Sequence, residues 1–516
     1  MNASAQCEVA AFLSDPANWG AGVTSIDVIE THGAIVYLGG ECALKMKRAV
    51  RYDYMDFSTL ERRRKFCEAE LTINRRTAPA IYTGLRAVSR QADGRLAFGT
   101  GGDVVEWLVE MRRFDQSLLF DRLARSGGLT PALVERLTDT VAAFHASAER
   151  HAGQGWATAM RDIIESNGAG LRQNGGRGLD PALVEAVLEN QTEAVRSLET
   201  VLEARQRAGF VRRCHGDLHL GNIVLYDGKP TLFDAIEFND AFAVIDVLYD
   251  LAFLIMDLEH CGLPQLANVA LSRYLAHQPD LGGLALLPLY LSCRATVRAK
   301  VGMQLAALHP AAAPGPHAAV NAYLAYAKAC FTRLPTRLIA VGGLSGSGKS
   351  TISRALAPSL DSPPGAIVLR SDVLRKRLFG RPPTERLGPD AYTPEVSRQV
   401  YGDMLRRARQ ALAAGRTAVV DAVYARPEER AEVEKLAADS GVPFFGFWFE
   451  APPEVLLSRI AARHDDASDA DAAVLSFQRT FDIGELRWTR IDTSGELATV
   501  VAEVQRSLAR GASHDG

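Results

Sequence analysis

The sequence has no excess of charge of either sign, no sustained apolar run and no cysteine pattern. Lys and Arg number 58 against 61 Asp and Glu, for a formal net charge of −3. A polyanion therefore finds no global basic surface, although a local patch suffices for one, so nucleic acid is a partner that charge does not favour. The cysteines, at positions 7, 42, 67, 214, 261, 293 and 330, are odd in number and include no CxxC pair. Zinc and disulfide readings are both poor, and reduced thiols fit best. The longest apolar stretch, Leu281–Cys293, contains Gly and Pro and is too short to span a bilayer. The opening residues lack a basic region followed by an apolar core, so no signal peptide is expected and a cytoplasmic location is.

What is present is a globular composition, 47% hydrophobic and 23% charged, in 516 residues. That length exceeds one ordinary core and implies two or three domains. Residues 25–47 read as two or three strands, followed by a charged helix at Leu60–Asn74 and strand text at Ile81–Val88 and Leu96–Glu106. Helical text runs from Phe114 to about Gly209, broken by the Gly-rich loop Gln173–Gly178. Two strands, Ile223–Tyr226 and Pro230–Phe233, then flank the turn Asp227-Gly228-Lys229, a hairpin signal. Helices resume from Val244 to Phe331, with a loop at Pro310–Pro316. The segment 333–337 is the linker candidate. Beyond it five strand texts alternate with helices, which implies a parallel sheet.

Gly343-Leu-Ser-Gly-Ser-Gly-Lys-Ser350 matches GxxxxGK[ST], with an apolar strand before it and a helix opening at Lys349. In such a loop the backbone N–H groups turn toward phosphate oxygens and the helix N-terminus adds a favourable field. Gly343, Ser345, Gly346, Ser347, Gly348, Lys349, Ser350 and Thr351 are thus candidate nucleotide ligands, with Ser350 also a Mg²⁺ ligand. The second strand ends at Asp372. Ligands of open parallel sheets bind beyond the carboxyl ends of strands, so Asp372 is a candidate base for an attacking hydroxyl. Arg375, one turn on, is a candidate for the acceptor or the transferred charge. The competing reading is an N-cap on a solvated basic helix. Asp421 closes the third strand as a metal or acceptor candidate, and no acidic residue follows it, which disfavours a motor-type ATPase. Arg459 and Arg463, before the polar loop His464–Asp469, are candidate clamps on a lid, or else a solvated basic face. These segments, GLSGSGKS, SDVLR, VVDAVY and RIAARHDDASDA, resemble the P-loop kinases related to polynucleotide kinase, zeta toxins and gluconate kinase.

Earlier in the chain lies His215-Gly-Asp-Leu-His-Leu-Gly-Asn222, then Leu232-Phe233-Asp234. A phosphotransferase needs a carboxylate at the acceptor hydroxyl, an amide at Mg²⁺ and a second carboxylate bridging metal to phosphates. Asp217, Asn222 and Asp234 supply these in order. The pattern HGDLHxxN, a strand and Asp resembles the aminoglycoside phosphotransferase and choline kinase group, a branch of the protein-kinase fold. By that resemblance Asp217 is the base, and Asn222 and Asp234 are metal ligands. Lys45 then reaches the α/β-phosphates, with Glu70 as its partner and Glu68 the runner-up, and Glu106–Met111 is the adenine hinge. His215 and His219 brace the loop. One departure is that the glycine loop over the phosphates shrinks to Thr31-His32-Gly33-Ala34. Glu237, Asp246 and Asp250 follow; Asp246 and Asp250, at i, i+4, either face back to the loop as structural acceptors or, the favoured reading, cap a helix and bond within the core. Arg294, Arg298 and Lys300 form a basic stripe, either solvated or facing an acidic acceptor.

The order of the halves resembles a family of fused bacterial proteins. It implies an α+β kinase-like fold (β-rich N-lobe about 1–110, helical C-lobe about 111–332) followed by an α/β P-loop NTPase domain with a parallel sheet at 338–516. The expected cofactors are ATP and Mg²⁺, and the expected partners are small-molecule hydroxyl acceptors. The expected activity is a bifunctional ATP-dependent kinase. Alternatives are a single active P-loop kinase with a regulatory N-terminal module, and a nucleic-acid 5′-hydroxyl kinase.

Overall fold

The largely apolar runs Ala34–Gly39 and Cys42–Lys47 build two inner strands whose successive side chains give a hydrophobic face on each side of the sheet. The computed structural model describes residues 3–52, 54–151, 155–173, 179–308, 315–382, 385–462 and 467–512. These strands belong to a six-stranded antiparallel sheet ordered Asp27–Glu30, Ala34–Gly39, Cys42–Lys47, Asp103–Arg112, Tyr82–Arg90, Leu96–Phe98. The expected strand Leu96–Glu106 is two strands, because the run Gly99-Thr-Gly-Gly102 turns the chain, with Gly99 at φ +108. One sheet face packs on the helix Leu60–Asn74 through Cys67, Ile81, Tyr82 and Val109. The other face packs Tyr37, Leu44 and Met46 against Val9 and Leu13 of a helix at Ala3–Ser14, which is not among the expected elements.

The described chain divides into two compact units: Met1–Val184, Glu199–Asp257 and Arg294–Tyr323 form one, and Glu185–Leu198, Leu258–Cys293 and Leu324–Gly516 the other. In the first unit, helices follow the sheet. The strand Val211–Arg213 pairs with Val244–Asp246, and a hairpin joins Ile223–Tyr226 to Lys229–Leu232. Its turn residues Asp227 and Gly228 both have positive φ, 48° and 72°, the geometry that an Asp-Gly hairpin turn requires.

The second unit centres on five parallel strands ordered Ile367–Arg370, Ala418–Asp421, Leu338–Gly342, Phe444–Glu450, Thr489–Asp492. Leu338–Gly342 is buried at every residue, as a central parallel strand covered on both faces should be. The segment 333–337 lies in this unit, as does the helix Pro264–His277. Buried Asn268 on that helix donates its amide to the carbonyls of Pro364 and Ala366, both at 2.9 Å. No helix among the described residues is long and apolar enough to cross a membrane.

Replacing Asn268 by Leu strands two buried carbonyls. The substitution should cost about 2 kcal/mol or more, read as a lower denaturation midpoint in the fluorescence of Trp448 and Trp488. An unchanged midpoint would show that the helix is not anchored through this amide.

Candidate active sites

In the first unit the loop Cys214–Asn222 is fixed from several directions. Asp250, fully buried, accepts the backbone N–H of His215 (3.0 Å) and Gly216 (2.9 Å) and faces His145 Nε2 at 3.1 Å. Arg294 donates to the carbonyl of Gly216 at 3.1 Å, and the Leu220 N–H donates to Asp257 at 2.9 Å. The ring of His215 meets the Phe233 carbonyl at 2.9 Å, so this histidine braces the loop. Asp250 therefore faces this loop, rather than only capping its helix. Asp246 takes a bidentate contact from Arg205 at 2.6 and 2.8 Å.

On this frame Asn222 Nδ2 donates to both the carbonyl and the side chain of Asp217, each at 2.9 Å, and His219 Nε2 lies 3.3 Å from the same carboxylate. Burial would raise the Asp217 carboxyl, but the charge and hydrogen bond of His219 outweigh it and hold the group well below the usual range. Asp234 stands at φ +61, a left-handed conformation that Asp tolerates at a cost on the order of 1 kcal/mol. Lys45 Nζ sits 2.5 Å from Asp234 Oδ1 and 2.8 Å from Glu70 Oε1. Glu68 instead pairs with Arg64, one turn away on the exposed helix face.

Lys47, which sequence reasoning passed over, is buried and bridges Glu70 at 2.6 Å and Glu237 at 2.5 Å. The signal was the two-residue spacing in Lys45-Met-Lys47, which places both ammoniums on one strand face. Burial pulls both ammoniums down, yet the facing carboxylates, led by Asp234 for Lys45 and Glu237 for Lys47, leave them raised. Three carboxylates thus meet two ammoniums, and Asp234 is the exposed member at 40%. Asn222 and Asp234 offer only oxygen ligands, which suits Mg²⁺ held jointly with phosphates.

Lys45, Asp217, Asn222 and Asp234 all line one cleft of about 940 Å³, with His32 and Gly33 of the shortened glycine loop at its edge. Of the segment Glu106–Met111, expected as the hinge, the end at Met111 reaches the cleft. Glu106 is buried in an inner strand and bonded to Arg63 at 2.8 Å, so the cleft is lined not by Glu106 but by Met111–Phe114, where that strand ends. Of the basic stripe, Arg294 and Lys300 line the cleft, and Arg298 turns instead to Tyr323.

In the second unit the helix Lys349–Leu356 begins as the phosphate loop ends. Gly343 takes φ +137, and a Cβ there would lie 2.3 Å from the Phe449 carbonyl, so only glycine lets the loop leave its strand. Ser345, Gly346, Gly348, Lys349, Ser350 and Thr351 line a cleft of about 1480 Å³. Gly343 and Ser347 lie behind it, the carbonyl of Ser347 accepting from Thr493 at 2.9 Å. Lys349 Nζ donates to the carbonyls of Gly343 and Leu344, and Ser350 Oγ meets Asp421 Oδ2 at 2.5 Å. That serine–carboxylate pair is again an all-oxygen set fit for Mg²⁺.

Asp372 lines the same cleft. Burial raises its carboxyl, and the neighbouring Asp421 adds to that against the pull of Arg370, Lys349 and Arg375. Arg375 is buried on the cleft wall, with Nη1 on the Ala391 carbonyl at 2.6 Å and Nε without a partner among the described residues. Arg459 lines the cleft and donates to the Thr493 carbonyl at 2.6 Å. Its helix ends at Ala461, and Arg463 lies outside the described residues. Asp469, from the text read as a lid, is tied to Lys376 and Tyr392, both at 2.5 Å.

Glu70→Ala leaves two buried ammoniums short of a partner and should cost about 3–5 kcal/mol, whereas Glu68→Ala should stay within about 0.5 kcal/mol. Urea denaturation of the two variants checks this; equal effects would remove Glu70 from the centre of the network.

Comparison with known proteins fits both halves. The profile of the phosphotransferase enzyme family matches residues 119–287, and that of an AAA domain matches residues 338–481. An adenylyl-sulfate kinase of Myxococcus xanthus is 35% identical over 117 residues, covering 23% of this chain and 59% of that protein. Among solved structures, the chain is similar to a choline/ethanolamine kinase family protein from Mesorhizobium loti (14% identity, 63% of this chain, 94% of that one, TM-score 0.40). It is also similar to a gluconokinase from Sinorhizobium meliloti (26% identity, 35% of this chain, 94% of that one, TM-score 0.25). An uncharacterized protein of Mycobacterium tuberculosis is 32% identical over 485 residues, which cover 91% of this chain and 93% of that protein. The chain belongs to one family with this mycobacterial protein, as a fused protein in which a phosphotransferase domain precedes a P-loop kinase domain.

Proposed function

We propose that the protein is an ATP-dependent phosphotransferase with two kinase-type sites, each passing the γ-phosphoryl group to a hydroxyl of a small-molecule acceptor. The observation that supports this reading is that each cleft is lined by both a lysine, Lys45 or Lys349, and a carboxylate, Asp217 or Asp372, which the reading assigns to the phosphates and to the acceptor. In this reading residues 1–332 form the kinase-like part and 338–516 the P-loop part, joined by 333–337. At the first site Glu70 orients Lys45 on the α/β-phosphates, and Asp217 receives the proton as the acceptor oxygen bonds to phosphorus and ADP departs. At the second, the loop 343–351 cradles the phosphates, Asp372 receives the proton, and Arg375 and Arg459 stabilise transferred charge. Mg²⁺ held by Asn222 and Asp234, or by Ser350 with Asp421, supplies neutralisation of the phosphate charge.

A second reading keeps only the P-loop site active and makes the first unit a nucleotide-binding regulator. The short segment Thr31–Ala34 favours it, because it offers few backbone N–H groups as cover over the phosphates.

Asp217→Asn and Asp372→Asn should each remove one transfer and spare the other, by roughly 10²–10⁴-fold. ADP release with pools of alcohols, followed by mass analysis of products, reads both. Loss of all transfer with Asp372→Asn alone would support the regulatory reading. The two sites should also differ in pH dependence. Asp217 is depressed and stays ionised through the usual carboxylate range near ~3.9, whereas Asp372 is raised and is protonated before that range is reached. As pH falls, the kcat/KM of the second site, isolated in Asp217→Asn, should therefore fail at a higher pH than that of the first, isolated in Asp372→Asn. A reversed order would contradict the assignment of the bases.

A further inference from the structure

The first cleft extends past the nucleotide-facing residues into the helical lobe. There its walls come from the helices Trp156–Gln173 and Leu287–Leu308 and from Tyr249 and Phe253. Trp156, Ile163, Val297 and Val301 make this part apolar. Its polar groups are chiefly donors. Asn167 is 3% exposed, and its Nδ2 is buried without a hydrogen-bond partner among the described residues. Arg294, 5% exposed, stacks on Tyr249 at 3.8 Å, and its Nη2 likewise has no hydrogen-bond partner, lying 3.8 Å from Asp250. Lys300 crosses between the two helices to Ser166 Oγ at 3.0 Å. Its stem passes Gly170 so closely that a Cβ there would meet Lys300 Cε at 3.0 Å.

Arg294 faces the buried carboxylate of Asp250, and the carboxylates that line the cleft itself are mostly engaged elsewhere. Among the carboxylates lining the cleft, Asp217 is the base and Asp234 faces Lys45, while Glu237 is bonded to Lys47 and Asp240 to Arg213. Among the described residues, exposed Asp162 is the carboxylate that adds negative charge to this wall. A polycation would find no carboxylate array here, whereas an anionic group would satisfy Asn167 Nδ2 and Arg294 Nη2, which have no hydrogen-bond partner among the described residues.

We propose that the acceptor of the first unit is an alcohol with an apolar body and an anionic end. The body lies against Trp156, Val297 and Val301, and the anion meets Asn167, Arg294 and Lys300. The hydroxyl then points to Asp217, which takes its proton as the oxygen bonds to the γ-phosphorus and ADP leaves with the electrons of the broken P–O bond. This inference rests on the kinase reading of the first unit and adds the acceptor's chemical class.

The test uses the full chain with Lys349→Ala to silence the second site, saturated with Mg-ATP. Two rigid probes of opposite charge are compared, para-hydroxymethylbenzoate and para-hydroxymethylbenzylamine, by ADP release and by saturation-transfer NMR. The carboxylate should be favoured by about tenfold or more. Lys300→Met should bring the ratio toward one while Lys300→Arg keeps it, a pattern that loss of folding would not produce. Equal or reversed preference, or Mg-ATP binding with neither probe bound, overturns the inference and leaves the kinase reading standing. Failure of Mg-ATP itself to bind overturns the reading of the first unit, and the inference with it.

Discussion

Glu70 is the constraint on which the first unit turns. It is fully buried, and it remains ionised because Lys45 and Lys47 outweigh the burial that would otherwise protonate it. Each lysine is in turn shared with a carboxylate from the segment after the loop Cys214–Asn222, Lys45 with Asp234 and Lys47 with Glu237. One helix, one strand and one loop are thereby locked at a single point by charges that cannot be removed singly without stranding a partner. The same lock holds Asp234 in its left-handed conformation, facing the cleft that contains Asp217 and Asn222.

The second unit reaches a phosphate site by different means. There the backbone does the positioning: a wholly buried strand delivers the chain into a glycine turn, and the following helix begins where that turn ends. Charge enters later, at Lys349, Asp372 and Arg375, and is tuned by burial and by the proximity of Asp372 to Asp421. The two carboxylates proposed as bases accordingly sit on opposite sides of their ordinary range.

Much of this was legible in the residues. The phosphate loop, the five alternating strands and the Asp-Gly hairpin depend on local patterns of glycine and period, which sequence displays directly. The loop His215–Asn222 was legible because its chemistry is contiguous. What sequence did not disclose depends on long-range packing. Lys47 looks like one of several surface cations until the sheet buries it, and Glu237 has no local signal for its role. That the cleft is lined from Met111 onward and not by Glu106 reflects where a strand stops, and element ends are weakly encoded when apolar text continues past them. By helical spacing Arg294 shares its face with Arg298 rather than with Lys300, and only the packing against Trp156–Gln173 shows that Arg294 and Lys300 border the cleft while Arg298 turns to Tyr323.

The claim at the centre of this account is that one chain holds two nucleotide sites. Calorimetric titration of the intact protein with Mg-ATP tests it most directly, repeated on Lys349→Ala and Asp234→Ala. The account predicts two sites, each lost with its own substitution. A single site, lost only with Lys349→Ala, would contradict it.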